Sequence, residues 1–206
     1  MKKLLSIVLI SVFMAAAAPA ACMASTPTET VKTTIDKVVS VLQNPAMKGS
    51  KKEQERRAAI RKAVFNVFDF REMAMRSLAK NWKPLPAKDK DEFSSLYADL
   101  LERSYINRIE SYSGEKVVYD GESIDGDYAV VKTKFVTARR EEILVDYKLM
   151  KKDGGWWVYD LVIERVSLVN NYRIQFNKII RSSSYAELVK KMKDKKESEL
   201  LSNAGS

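Results

Sequence analysis

Between Thr28 and Gln43 the apolar residues fall at Val31, Ile35, Val38, Val39 and Leu42, the spacing of one helical stripe. Asn44-Pro45 ends that helix. A second helix is predicted from about Lys51 to Phe68, with Ile60, Ala63, Val64 and Val67 on one face. Asp69 is placed to cap a short third helix carrying Phe70, Met73, Ala74 and Leu78, which Trp82 and the Pro84 and Pro86 pair close. A long fourth helix follows from about Ala87 to Tyr112, marked by Phe93, Leu96, Tyr97, Leu100, Leu101 and Ile109 at helical spacing.

After Gly114 the period changes from 3.6 to 2, and the pattern predicts four strands. The first is Lys116 to Tyr119, followed by a hairpin turn at Asp125-Gly126. In Tyr128 to Thr137 one face is Ala129, Val131, Thr133 and Phe135; in Glu142 to Met150 it is Ile143, Val145, Tyr147 and Leu149. In the strand from Trp156, residues Trp157, Tyr159, Leu161 and Ile163 share a face, whereas Val166 and Leu168 continue on the opposite parity. A β-bulge at Glu164-Arg165 accounts for that change and would bend the sheet. Two helices, about Asn171 to Arg181 and Tyr185 to Lys195, complete the chain before a charged tail. Helices first, then an antiparallel meander, give an α+β domain: a twisted sheet of about four strands packed on a helical bundle. Such a sheet wrapped around a helix encloses a cone, and periodicity leaves open whether that cone is filled or empty.

The N-terminus adds an address. Met1-Lys2-Lys3 precedes the apolar run from Leu4 to Ala18 and a stretch of small residues, the layout of a secretory signal peptide cleaved after Ala24. The segment PAAC also admits a lipobox reading with lipid on Cys22, although Pro19 stands where an aliphatic residue is usual. No later segment approaches the length of a membrane span, so residues 25–206 are expected to form one soluble exported domain. Cleavage after Ala24 removes the only cysteine, so the stability of this domain has to come from burial rather than disulfides. The net charge of +9 fits acidic partners, namely anionic headgroups or acidic protein surfaces, and the export signal argues against nucleic acid. The same lysines also serve plain solubility.

The catalytic inventory is thin. With no histidine, neither a Ser-His pair nor an ordinary zinc site can be assembled, and seven glycines form no phosphate-cradling loop. The stretch from Asp120 to Asp127 lacks the spacing of a calcium loop and reads as a turn. Carboxylate chemistry of the kind an Asp performs beside a Tyr is the one remaining option, but Asp69 reads as a helix cap and Asp160 as a minority-face strand residue. No enzymatic activity, metal or cofactor is therefore assigned.

Three segments read together carry a resemblance: VFDFREMAMRSLAKNW, DEFSSLYADLLERSYINRIESYSGE and VDYKLMKKDGGWWVYDLVIERVSLVNNYRIQF. They resemble the MlaC or toluene-tolerance family of periplasmic phospholipid-binding proteins over about Glu29 to Met192, most closely in W-x-VYD-x-x-IE-x-VSLVNNYR-x-QF. The resemblance implies an NTF2-like cone with an apolar cavity for acyl chains and a headgroup near solvent. It implies a carrier moving phospholipid between the inner and outer membranes of a Gram-negative envelope, without catalysis or cofactor. The implied partners are phospholipid, an inner-membrane ABC-type lipid transporter with an MCE-domain subunit, and an outer-membrane lipoprotein attached to a porin. The family resembled often has a small residue, frequently Gly, where this chain has Ala79 and Arg165.

A carrier has to shield roughly 30 methylenes per two-chain lipid, each worth about 0.8 kcal/mol in water, in a cavity nearly as apolar as the bilayer. On that reading the lipid-facing positions are Val131, Phe135, Tyr147, Leu149, Trp157, Tyr159 and Leu161 from the sheet, with Tyr97, Leu100, Leu101, Phe176 and Ile180 from helices. Tyr172 and Arg173 would cap the wall or meet the headgroup, with a structural ion pair the alternative for Arg173, and Lys80, Lys83, Lys132 and Lys134 would face anionic groups. A rival reading from another class is a periplasmic bridging module whose cone is filled and which holds no lipid. Export itself has a direct check: intact-mass analysis of chain recovered from the periplasm is expected to begin at Ser25. A lipid-modified terminus at Cys22 would instead mark a lipoprotein.

Overall fold

The computed structural model describes residues 25–194; the leader assigned to residues 1–24, Cys22 and the chain from Lys195 onward lie outside the described residues. Six helices and five strands appear in the order α1 (Pro27–Gln43), α2 (Glu53–Phe65), α3 (Phe70–Leu78), α4 (Ala87–Glu110), β1 (Lys116–Asp125), β2 (Tyr128–Val136), β3 (Glu142–Lys152), β4 (Gly155–Ile163), β5 (Val166–Ser167), α5 (Leu168–Ser182) and α6 (Tyr185–Lys193). Single 3₁₀ turns at Pro45–Met47, Ser50–Lys52 and Ala79–Asn81 link the helices. The strands form one antiparallel meander in the order β1-β2-β3-β4-β5. The α+β class is as the sequence predicts, with five strands in place of four. Among the described residues no helix is long and apolar enough to cross a membrane.

Four of the six helices, α1, α3, α5 and α6, start on a short polar side chain that accepts from the first turn. Thr26 and Glu29 make a reciprocal capping box at α1, with Pro27 in the first turn. Asp69 accepts from the Glu72 amide at 2.9 Å to cap α3, Ser167 caps α5 and Ser184 caps α6. α5 therefore begins three residues before Asn171, because Ser167 supplies the cap.

β1 is longer than its pattern predicts. It runs on to Asp125 through a bulge at Asp120, between the pairs Tyr119↔Thr133 and Gly121↔Lys132, and its exposed second half carries no burial signal. The turn to β2 is Gly126-Asp127, with Gly126 at φ 56° in the position where Gly is preferred.

The second bulge corrects the sequence reading of β4. Lys148 pairs with Asp160 and Leu149 with Val158, so Tyr159 is the extra residue and the sheet bends there. Glu164-Arg165 is no bulge: Ile163 pairs with Val166, and both turn residues have positive φ, 48° and 66°, the two-residue turn whose twist suits a hairpin. The parity change the sequence places at residue 164 is produced by that turn into β5.

Ala79 and Arg165, where the family resembled often has Gly, are both positive-φ residues. Ala79 is the more strained, at φ 50° and ψ −119°, a region that a Cβ disfavours by about 1–3 kcal/mol. It ends α3 and turns the chain toward Trp82. Ala79 is exposed and its methyl has little to lose. Ala79→Gly is therefore expected to stabilise the fold by about 1 kcal/mol, read as a rise in Tm of about 2–4 °C; an unchanged or lower Tm would refute the strain.

Candidate functional site

The interior divides into two apolar clusters. In the first, Val31 and Ile35 of α1 lie against Ala129, Val131, Leu149 and Val158 on one face of the sheet, all buried. Val39, Val67, Val117, Tyr119, Phe135, Tyr147, Trp156 and Leu161 surround them only partly buried. α1 is held across this face at its N-terminus, where the Thr28 amide and hydroxyl donate to Glu122 of β1 at 2.7 and 2.6 Å. It contacts β1 and β2, and half-buried side chains remain on both sides of the face, Val117, Tyr119 and Phe135 on β1 and β2, and Tyr147 and Leu161 on β3 and β4. The second cluster joins α3, α4, α5 and α6 around Met73, Leu78, Phe93, Tyr97, Leu100, Tyr172, Phe176, Leu188 and Met192. Phe68 and Leu161 touch both clusters.

This division sorts the predicted lining. Val131 and Leu149 are buried in the sheet cluster, and Phe135, Tyr147 and Leu161 form its half-buried margin. Tyr97, Leu100, Leu101 and Phe176 are instead buried core of the helical cluster, with Ile180 packed against it. Tyr97 meets the Tyr172 and Phe176 rings edge to face at 5.5 and 5.9 Å, and Phe93 meets Phe176 at 5.6 Å. The helical residues and the sheet residues thus do not share one lining. Trp157 and Tyr159 do not face the sheet cluster either: the extra residue in β4 puts Trp156, Val158 and Leu161 on that face and turns Trp157 and Tyr159 to the opposite one. Tyr159 there stacks edge-on with Tyr128 at 5.9 Å, under the Arg76 guanidinium at 4.2 Å.

Two tyrosines place hydroxyls in the apolar margin. Burial pushes the Tyr119 hydroxyl up to about 12, and its oxygen is buried without a hydrogen-bond partner. Burial likewise raises the Tyr147 hydroxyl. Val31, Ile35, Val117 and Tyr119 were absent from the predicted lining. Their own periodicities mark them as buried, but only the docking of α1 over β1 and β2 brings them to this face.

A groove of about 450 Å³ opens beside Phe68, between α2, α3, α4 and the β3–β4 hairpin. Phe65, Phe68, Phe70 and Trp157 give it an aromatic wall, with Arg61 and Lys152 at its rim. Arg61 lies 4.2 Å over the Phe65 ring and pairs with Asp99 and Glu102 of α4. Lys152 reaches the Asp69 carboxylate at 2.7 Å. Asp160, buried, accepts from the Ser167 hydroxyl at 2.7 Å and the Val169 amide at 3.1 Å, so both candidate carboxylates cap helices. Arg173 donates to the Arg76 carbonyl at 2.9 Å rather than to a carboxylate, while Tyr172 is buried and bonds to Ser104. Lys134 pairs with Asp120 at 3.0 Å.

A family model described as "MlaC protein" matches residues 32–194, which takes in all five strands and every helix but the first turn of α1. The chain belongs to the MlaC family. Among its relatives, the "Intermembrane phospholipid transport system binding protein MlaC" of Haemophilus influenzae is 24% identical over 162 residues, 76% of each chain. A phospholipid-binding protein from Ralstonia solanacearum, solved in complex with a phospholipid, has the same fold: TM-score 0.73 and 23% identity, covering 83% of this chain and 96% of the other. The matched residues take in both apolar clusters except Val31.

An ion-pair clamp joins α2 to α4, two of the helices that border the groove. Glu110 receives Arg56 at 2.6 Å and Arg57 at 2.8 Å, while its own side chain is only 13% exposed. Burial alone would raise the Glu110 carboxyl, but hydrogen bonds from Arg57 and Arg56 outweigh it and hold it below its ordinary value. A carboxyl lowered in the folded state contributes stability above its unfolded pKa of about 4.3, and that contribution is lost as pH falls through the folded value. Glu110→Gln is expected to cost about 1–3 kcal/mol in urea unfolding at pH 7 and clearly less at pH 3. An equal loss at both values would remove the clamp as its source.

Proposed function

We propose that this chain is a periplasmic carrier which binds phospholipid acyl chains against the sheet and shuttles phospholipid between the outer and inner membranes, so maintaining outer-membrane lipid asymmetry. The observation that carries the reading is the half-buried margin of the sheet cluster. Val117, Tyr119, Phe135, Tyr147 and Leu161 gather on one face that α1 covers only in part. A core packed for stability alone closes such a face, because unburied apolar area forfeits about 25 cal/mol per Å². Membership of the MlaC family and the phospholipid complex of the Ralstonia relative support the same reading.

Acyl chains laid on this margin meet an apolar surface from every side, which keeps extraction from a bilayer close to neutral and lets release follow. The aromatic groove at Phe68 is the natural mouth: its wall reaches the one residue of α2–α3 that borders both clusters. Trp157 takes a place in this reading at the mouth rather than on the inner wall. The helical cluster acts as a rigid backstop. The reading assigns the chain no reaction and no cofactor, and gives it an inner-membrane ABC-type transporter with an MCE-domain subunit and an outer-membrane lipoprotein on a porin as partners.

Native mass spectrometry and lipid extraction on chain purified without detergent test the proposal. The expected result is co-purified phospholipid near one per chain, and its loss in the double variant Val117→Trp/Leu161→Trp with the far-ultraviolet spectrum retained. Both positions are half-buried and accept bulk, unlike Val131, where a larger side chain would break the sheet core. A clean apo mass with no uptake from vesicles would overturn the carrier reading and favour a bridging module.

A further inference from the structure

A second groove, of about 830 Å³, lies between the turn after α3 and α5. Ala79 and Lys80 form one wall; Arg173, Ile174, Asn177, Lys178, Arg181 and Ser182 form the other. The α5 residues recur at three- and four-residue spacing, a continuous stripe along more than two turns. Four of the eight lining residues are cations and none is acidic. Among the described residues Lys80, Arg173, Lys178 and Arg181 form no ion pair, although the α2–α4 contact shows how fully other arginines of this chain are paired. In their midst Ile174 is 62% exposed, more than any other large apolar residue of the described chain.

The walls are fixed before any ligand arrives. Asn81 donates to Asn177 at 2.9 Å, Asn177 donates back to the Arg173 carbonyl at 2.8 Å, and Arg173 reaches across to the Arg76 carbonyl at 2.9 Å. The bend at Ala79, with its positive φ, forms part of the first wall. A rigid, concave site with unpaired cations around one exposed isoleucine is complementary to a segment that carries carboxylates and an apolar side chain together. A flat anionic bilayer answers the charge but not the concavity.

We propose that this groove is a docking site for an acidic amphipathic segment of a partner protein, its carboxylates meeting Lys80, Lys178 and Arg181 and one apolar side chain covering Ile174. The proposal stands apart from the lipid-carrier reading, since it uses no residue of the sheet cluster or of the mouth at Phe68.

The sequence supplies a clean reporter. Cys22 is the only cysteine of the chain, so Ile174→Cys in a chain starting at Ser25 takes an environment-sensitive dye at one position. The probes are a helical Glu/Leu peptide, its Lys/Leu counterpart and vesicles of phosphatidylglycerol. The Glu/Leu peptide is expected to shift the dye to the blue and to bind more weakly as salt is raised. Lys178→Glu/Arg181→Glu is expected to weaken it by roughly tenfold or more and to admit the Lys/Leu peptide instead. Thermal melts check that the variant folds, and the milder Lys178→Gln/Arg181→Gln repeats the test. Equal binding of both peptides to the unsubstituted chain would overturn the proposal. So would a dye that responds to the vesicles and not to the Glu/Leu peptide, which would make the surface a membrane contact. Lipid co-purification is measured on the same variants, so loss of docking and loss of cargo are read separately.

Discussion

Both backbone polar groups of Val158 bond outward from the sheet: its amide donates to the Val67 carbonyl at 2.8 Å, and its carbonyl accepts from the Asp69 amide at 2.9 Å. Much of the architecture follows from this pair. It binds the α2–α3 junction to β4 and covers part of an edge that would otherwise expose unpaired groups. It places Phe68 where both apolar clusters reach it, and fixes Asp69 to cap α3 and hold Lys152. The bulge at Tyr159 follows immediately, as the strand bends around the junction it is tied to.

The bend separates two kinds of interior. On the helical side, interlocked rings of Phe93, Tyr97, Tyr172 and Phe176 leave no room, and even the Tyr97 hydroxyl is buried. Such packing gives stiffness, because close-packed rings resist displacement. On the sheet side the same residue types are only half-covered, and two tyrosine hydroxyls sit in apolar surroundings that disfavour their ionisation. A rigid half supporting a half-open one suits a protein whose ligand comes and goes, since the cost of opening falls on one cluster alone.

Charge is distributed with the same economy. The arginines of α2, Arg56, Arg57 and Arg61, are engaged by Glu110, Asp99 and Glu102 of α4, which ties the two helices together. Those of α5 remain turned to solvent along the second groove. A basic surplus of this kind is a property of particular faces and not of the chain as a whole.

The sequence by itself determined the local structure: helical stripes such as Val31-Ile35-Val39, the cap at Asp69, and the faces of β2 and β3, where strict alternation survives pairing. It also carried the family, through motifs spread over the chain. Tertiary structure decided the rest. A bulge adds one residue without changing composition, so nothing in the run from Trp156 to Ile163 reveals that Trp157 and Tyr159 point away from Leu161. Nor does helical spacing distinguish a ring that packs against other rings, as Tyr97 does, from one that borders open space. That depends on which elements meet, and the docking of α1 and the α2–α3 junction on the sheet is set by contacts between residues far apart in sequence.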